Sequence, residues 1–87
     1  MLSINIYNFI EFLEDLSLKN IDFITVKLKF LEDVSKPNVI YFRKHKITEL
    51  CKELKKCDGD QIIHIYQFID YKTNNSIEIP SNNILSL

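Results

Sequence analysis

Apolar residues recur at helical spacing near the start of the chain. Over residues 6–16 they fall at i, i+3, i+4, i+7 and i+10, which predicts a first helix with one buried face: Ile6, Phe9, Ile10, Leu13 and Leu16. Ser3 or Asn5 can cap its start, and Lys19-Asn20 is a suitable stop. Leu2, Ile4 and Ile6 also alternate with polar residues, so a short initial strand is the alternative, and we favour the helix.

The same spacing returns in the middle of the chain. A second helix is predicted over residues 46–57, ended by Asp58-Gly59-Asp60, with the stripe Ile47, Leu50, Cys51, Leu54 and Cys57. The two stripes coincide at all five positions when the chain is shifted by 41 residues. We interpret this coincidence as a structural pseudo-repeat of helix and following strands.

The stretch 61–71 is predicted as the central strand, because it is apolar on both faces and rich in β-branched and aromatic residues. Strict alternation places one set on one side, interrupted by Gln67: Ile63, Ile65 and Ile69. The opposite side then carries Ile62, His64, Tyr66 and Phe68.

Three further stretches are predicted as strands. Residues 21–31 alternate, with Ile24, Val26, Leu28 and Phe30 on one side and Thr25, Lys27 and Lys29 on the other. A polar turn over 32–38 joins them to a shorter strand at 39–42, which makes a hairpin. Residues 77–79 are predicted as an edge strand stopped by Pro80, and the tail 81–87 either docks or frays.

These elements predict a single α+β domain over residues 1–87 in the order αββαββ. A four-stranded, mainly antiparallel sheet would carry both helices on one face. This is a permuted ferredoxin-like arrangement, in which the first strand of βαββαβ moves to the end.

Composition narrows the class of protein. The chain has 46% hydrophobic and 26% charged residues, which is typical of a globular domain. It contains no apolar run long enough to span a bilayer and no signal-peptide pattern, so we expect a cytoplasmic protein without a membrane partner. An excess of Ile, Lys and Asn with no Ala indicates a GC-poor genome, such as a low-GC bacterium or its phages and plasmids.

Charge separates the two helices. Residues 1–18 carry three acidic residues and no basic one, Glu11, Glu14 and Asp15. The equivalent positions of the second helix carry Lys52, Lys55 and Lys56. We favour two solvated faces that attract each other across neighbouring helices. The alternative is a molecule with an acidic and a basic face, suited to head-to-tail self-association or to charged partners. A homodimer is also among the expected states.

Candidate catalytic chemistry is sparse. The sequence has no glycine-rich phosphate loop, no GxSxG, no HExxH and no CxxC. His45 lies among basic residues and is expected to be solvated, while His64 is expected to have a structural hydrogen bond. Cys51 and Cys57 are expected to be small buried hydrophobes. We therefore expect a protein that is not an enzyme and has no metal, cofactor or small-molecule substrate.

The predicted sheet face opposite the helices is the main candidate for binding. It would present His64, Tyr66 and Phe68 beside Lys27 and Lys29. Aromatic rings interleaved with lysines are ingredients of single-strand nucleic-acid platforms. Apolar residues on an open sheet face more often mark a protein interface, so a partner, a second copy or the Ile84–Leu87 tail could also cover it.

The leading hypothesis is a small module that binds a host protein or itself. Its size and amino-acid bias fit phage- or mobile-element-encoded inhibitors of a host defence machine, such as anti-CRISPR proteins. Such a protein could occlude a nucleic-acid channel with Glu11, Glu14 and Asp15, or could grip an acidic surface through Lys52, Lys55 and Lys56. The alternative is a small nucleic-acid-binding regulator that uses the sheet face.

Overall fold

Two helices pack on one face of a four-stranded antiparallel sheet. A computed structural model describes residues 2–30, 39–81 and 84. The elements in chain order are β1 (Leu2–Asn5), α1 (Ile6–Leu18), β2 (Phe23–Phe30), β3 (Val39–Lys46), α2 (Ile47–Leu54) and β4 (Ile62–Asp70). The strands lie side by side in the order β1-β4-β2-β3. The α+β class with both helices and four strands is therefore confirmed.

The first helix begins and ends where local chemistry favours it. Asn5 takes an extended conformation, and its side-chain oxygen accepts a hydrogen bond from the Asn8 amide at 2.8 Å. At the other end Asn20 has a φ of 66°, the left-handed conformation that asparagine tolerates. The Ile21 amide then donates to the Leu16 carbonyl at 3.2 Å and closes the turn.

The element order differs from the predicted αββαββ order, because the fourth strand lies at the start of the chain. Leu2–Asn5 pairs with the first half of β4, placing Leu2 opposite Ile65 and Ile4 opposite Ile63. The order is βαββαβ. Residues 77–79 form no strand, and Ser76 makes an isolated bridge to Ile69 next to β1 on the same side of β4. Pro80 has no amide proton with which this edge could continue.

The predicted pseudo-repeat corresponds to two equivalent β-α-β halves. The helices begin at Ile6 and Ile47, 41 residues apart. Each half contributes one edge strand and one central strand to the sheet. The first amide of each helix also hydrogen-bonds to a carbonyl of the other half. The Ile6 amide donates to the Gln61 carbonyl at 2.9 Å, and the Ile47 amide donates to the Asp22 carbonyl at 2.8 Å. The chain is therefore built around an approximate two-fold axis perpendicular to the sheet.

A bulge in β4 changes which side chains face the helices. Lys27 lies opposite Gln67, but the next residue of β2, Leu28, lies opposite Ile65, so β4 carries one extra residue. Phe68 is consequently turned into the core, where it is 6% exposed. Its ring centroid lies 5.5 Å from that of Phe9 in an edge-to-face contact.

The predicted placement of Phe68 on the open face, and of Ile69 on the core face, is therefore wrong. Strict alternation holds on each side of the bulge but not across it. Ile63 and Ile65 are buried on the helix side as predicted, and Ile69 lies half-buried on the opposite side, where its register partner is Thr25.

The C-terminal segment docks on the domain over the part that the structure describes. The Ile77 amide donates to the Phe68 carbonyl at 3.0 Å. Ile79 is buried in the core cluster, and Ile77 and Ile84 pack against that cluster. Leu85 and Leu87 lie outside the described residues. Neither described helix is long and apolar enough to cross a membrane.

Candidate binding face of the sheet

The side of the sheet away from the helices is here called the open face. Its members follow from strand alternation and from the bulge, which leaves both Tyr66 and Gln67 on this side. From β1 and β4 they are Ser3, His64, Tyr66, Gln67 and Ile69. From β2 and β3 they are Phe23, Thr25, Lys27, Lys29, Lys44 and Lys46.

An aromatic–lysine cluster stands at one end of the open face. The Tyr71 amide donates to the Phe23 carbonyl at 3.1 Å, so these two residues sit opposite each other just past the end of β4. The Lys44 Nζ lies 5.2 Å from the Phe23 ring centroid and 5.3 Å from the Tyr71 centroid. Both rings remain substantially exposed. The ammonium therefore makes cation–π contacts with two rings that solvent still reaches.

The bulge presents a second group of accessible side chains. Tyr66 is 45% exposed, and Gln67 beside it is exposed as well. Lys27, also exposed, is the register partner of Gln67 on the neighbouring strand. Sequence reasoning identified Tyr66 and Lys27 correctly as surface groups. It missed Tyr71 and Lys44, whose meeting with Phe23 depends on strand pairing.

The open face is electropositive although the whole chain has a net charge of −1. Lysines occupy four of its strand positions, Lys27, Lys29, Lys44 and Lys46. Among the described strand residues that share this face, none is acidic. The charge of a docking partner would therefore have to be negative where it meets these lysines.

His64 is not available for binding. Its ring is 8% exposed, and its Nδ1 lies 2.8 Å from the Oγ of Ser3, which is also buried. No carboxylate among the described residues hydrogen-bonds the ring, so the pair lacks the third group that orients a catalytic histidine. The predicted structural hydrogen bond is present, and the prediction that the open face presents the His64 ring is wrong because the ring is buried. His45, expected to be solvated, is half-buried opposite Ile24.

The charged residues predicted on the helices lie on a different surface, the outer side of the helix layer. Glu11, Glu14, Asp15, Lys52, Lys55 and Lys56 are all exposed there. Among the residues that the structure describes, one ion pair joins the two helical regions, between Lys55 Nζ and Glu14 Oε1 at 3.7 Å. Other contacts stay local, such as Lys19–Asp15 at 3.7 Å and Lys56–Glu53 at 3.3 Å. Exposed pairs of this kind contribute little to stability.

The cysteines differ in environment. Both are free thiols, with Cys51 buried and Cys57 half-buried. Burial, and secondarily the Glu14 carboxylate, raise the pKa of the Cys51 thiol, while Lys55 acts in the opposite direction. Among the residues described, no three His, Cys, Asp or Glu side chains are grouped closely enough to hold a metal ion.

Comparison with known proteins adds no assignment. No protein-family model, curated protein or solved structure matches the chain. The open face and the outer helix layer are the two surfaces whose chemistry differs most.

Proposed function

We propose that this protein is a non-enzymatic binding module that holds a protein partner on its open face. The observation that carries the proposal is the group of three accessible rings, Phe23, Tyr66 and Tyr71, on an electropositive sheet face. Aromatic side chains are enriched in the centres of protein interfaces, because they bury a large area at a small cost in conformational entropy.

The lysines around these rings define the chemistry of the partner. Lys27 and Lys44 are exposed, and no acidic strand residue accompanies them on this face within the described chain. An acidic protein surface with apolar positions between its carboxylates would complement both features. Long-range attraction would speed the encounter, and burial of the rings would slow dissociation.

The partner is proposed to be part of a host machine, and the protein to be a phage- or mobile-element-encoded inhibitor of the anti-CRISPR kind. The support is compositional: the excess of Ile, Lys and Asn without Ala indicates a GC-poor genome, and the sequence contains none of the catalytic motifs considered above. An inhibitor of this kind needs only to occupy a surface that the host machine requires.

A capture experiment with two matched charge reversals tests the open face. Wild-type protein is immobilised and exposed to lysates of low-GC bacteria, beside a Lys27→Glu/Lys44→Glu variant and a Lys52→Glu/Lys56→Glu variant. Wild type and the helix variant should retain the same saturable protein, and the open-face variant should retain about tenfold less. The proposal would be overturned in favour of the basic helix face if the open-face variant still retained the protein and the helix variant did not.

Single-stranded nucleic acid is the second candidate, favoured by the position of Lys44 over Phe23 and Tyr71. A base stacked on these rings would bring its phosphate close to the surrounding lysines. Fluorescently labelled oligo-dT and oligo-rU are titrated at about 50 and about 150 mM salt, where electrostatic binding should weaken steeply. Binding that is lost in Tyr71→Ala would support this candidate. Absence of binding at the lower salt would eliminate it.

A further inference from the structure

The outer side of the helix layer carries two stripes of opposite charge in equivalent positions. On α1 the stripe contains Glu11, Glu14 and Asp15, and on α2 and the turn after it Lys52, Lys55 and Lys56. The 41-residue offset that relates the two helices also relates each acid to one lysine. The approximate two-fold axis of the chain therefore exchanges the acidic stripe with the lysine stripe, and α2 also exposes Glu49 and Glu53, of which Glu53 pairs with Lys56.

The first member of each stripe has no ionic partner within the described chain. Glu14, Asp15 and Lys55 all take part in ion pairs inside the molecule. Glu11 and Lys52 take part in none that the described residues provide, and both are exposed. A carboxylate and an ammonium at equivalent positions are thus left to interact with groups outside the chain.

Apolar side chains lie at both ends of the acidic stripe. Tyr7 is 61% exposed and Leu18 is 83% exposed. At 100° per residue, Tyr7, Glu11, Glu14 and Leu18 fall within one narrow arc of α1, opposite the buried stripe. Together with Lys55 they line an open groove between the helices. Two large apolar groups on an otherwise charged stripe are the features of a contact surface rather than of a purely solvated face.

We propose that this surface binds a second copy of the chain, with the two helix layers stacked about a two-fold axis that runs parallel to the helices. That axis places α1 of one protomer on α2 of its partner, and does so twice, because a two-fold contact is self-complementary. Glu11 of each protomer then faces the lysine stripe of the other. Tyr7 and Leu18 are covered at the margins of the contact.

Charge selects this arrangement over the other way of stacking the layers. A two-fold axis in the same plane but perpendicular to the helices places α1 on α1 and α2 on α2. The acidic stripe then faces its own copy and the lysine stripe faces its own copy, which is unfavourable. The opposite signs of the two stripes leave only the parallel axis, so a closed dimer is expected and not an open filament.

The charge pattern provides its own test through single reversals at the two residues without ion pairs. Glu11→Lys places lysine against lysine at both symmetry-related contacts, and Lys52→Glu places carboxylate against carboxylate. Sedimentation equilibrium at low salt should show wild type rising from the 10.3 kDa monomer toward twice that mass. Each single variant should dimerise about tenfold more weakly. An equimolar mixture of the two variants should regain the wild-type affinity, because every reversed contact is then matched.

Other outcomes overturn the proposal. A wild-type protein that stays monomeric to about millimolar concentration at low salt rules the dimer out. A dimer that ignores both helix reversals, or that is lost in the open-face control Lys44→Glu, places the contact elsewhere. Thermal melts of each variant check folding, and raising the salt on unaltered wild type should weaken the dimer independently of any substitution. The capture experiment uses the opposite side of the sheet, so the two proposals fail separately.

Discussion

The two cysteine thiols show how much a residue's environment is set by its place on an element. Cys51 belongs to the buried stripe of α2, whereas Cys57 lies past the end of that helix. The Cys57 thiol is 4.0 Å from the Glu53 carbonyl, a weak contact that leaves it reachable by solvent. Only one of the two thiols should therefore behave as a reactive group.

The thiolate chemistry of Cys51 should be suppressed relative to that of Cys57. A pKa raised above the ordinary value of a cysteine leaves less thiolate at Cys51, and burial blocks the reagent. Timed labelling with a disulfide reagent at mildly alkaline pH should modify Cys57 at least about tenfold faster. The Cys57→Ser variant isolates the slow site, and fast labelling of that variant would contradict the prediction.

The same shift gives a sign for the pH dependence of stability. Because the folded-state pKa of Cys51 is raised, the folded protein retains a proton that the unfolded chain releases near pH 9.0. The free energy of unfolding should be unaffected by this thiol well below that pH, and should fall as the pH rises through it and on to the folded-state pKa. Cys51→Ala, compared by urea denaturation across this range, should show a smaller alkaline decline.

At the scale of the element, the bulge in β4 separates two aromatic side chains that strict alternation would place together. Phe68 fills the core beside Phe9, and Tyr66 stays at the surface. Phe68→Ala should lower the free energy of unfolding by about 3–5 kcal/mol, because it leaves a cavity. Tyr66→Ala should cost less than about 1 kcal/mol. Urea denaturation of both variants measures the difference, and equal costs would contradict the bulge.

The starts of the two helices differ although they are equivalent in the repeat. Asn5 caps α1 with its side chain, while Lys46, 41 residues later, is extended at the start of α2 and makes no side-chain cap. A lysine there also meets the positive end of the helix dipole. Lys46→Asn should therefore stabilise the protein by about 0.5–1 kcal/mol, and Asn5→Ala should destabilise it by about 1 kcal/mol. Thermal denaturation of both variants tests the pair, and a neutral Lys46→Asn would contradict it.

Helices were easier to anticipate from sequence than strands. The helix starts and buried stripes depend on neighbours within a few residues, and the stripe residues that lie within α1 and α2 are buried as predicted. The last residue of the second stripe was predicted wrongly, because α2 ends at Leu54 and Cys57 is only half-buried beyond it. The bulge at Gln67 depends on pairing between β4 and β2, which are distant in sequence. Residues 2–5 become a strand only because β4 offers them an edge. Burial of His64 follows from its contact with Ser3, 61 residues away, which no local pattern reveals.

The sequence predicted which types of residue form the candidate site, but it predicted only some of the individual residues. Aromatic and lysine residues on an open face were anticipated, and Tyr66 and Lys27 are exposed there. Phe68 and His64 are removed from the site by the bulge and by burial, respectively. Tyr71 and Lys44 join Phe23 because three strands meet at that end of the sheet. These exchanges arise from register, which a single sequence does not display.

For the whole molecule, the proposed dimer would leave both open faces pointing outward on opposite sides. Two equivalent sites on a single particle bind a surface carrying many partner copies more tightly than one site does. Glu11→Lys should therefore keep the wild-type affinity for a partner in solution, yet dissociate at least about tenfold faster from a surface densely coated with that partner. Surface plasmon resonance measures the single-site affinity at low coating density and the dissociation rate of the bivalent molecule at high coating density. Equal dissociation rates at high density would contradict the bivalent molecule.

The reciprocal hydrogen bonds at Ile6 and Ile47 have a consequence for how the chain folds. Each helix begins on a carbonyl that the other β-α-β half supplies, Gln61 for one and Asp22 for the other. Neither half can therefore complete its helix start until its counterpart is in place, and both contacts join residues far apart in sequence. Folding should thus be concerted, with a barrier set by the encounter of the halves rather than by helix formation. We therefore expect that neither β-α-β half folds alone, although the repeat divides the chain into two equivalent halves.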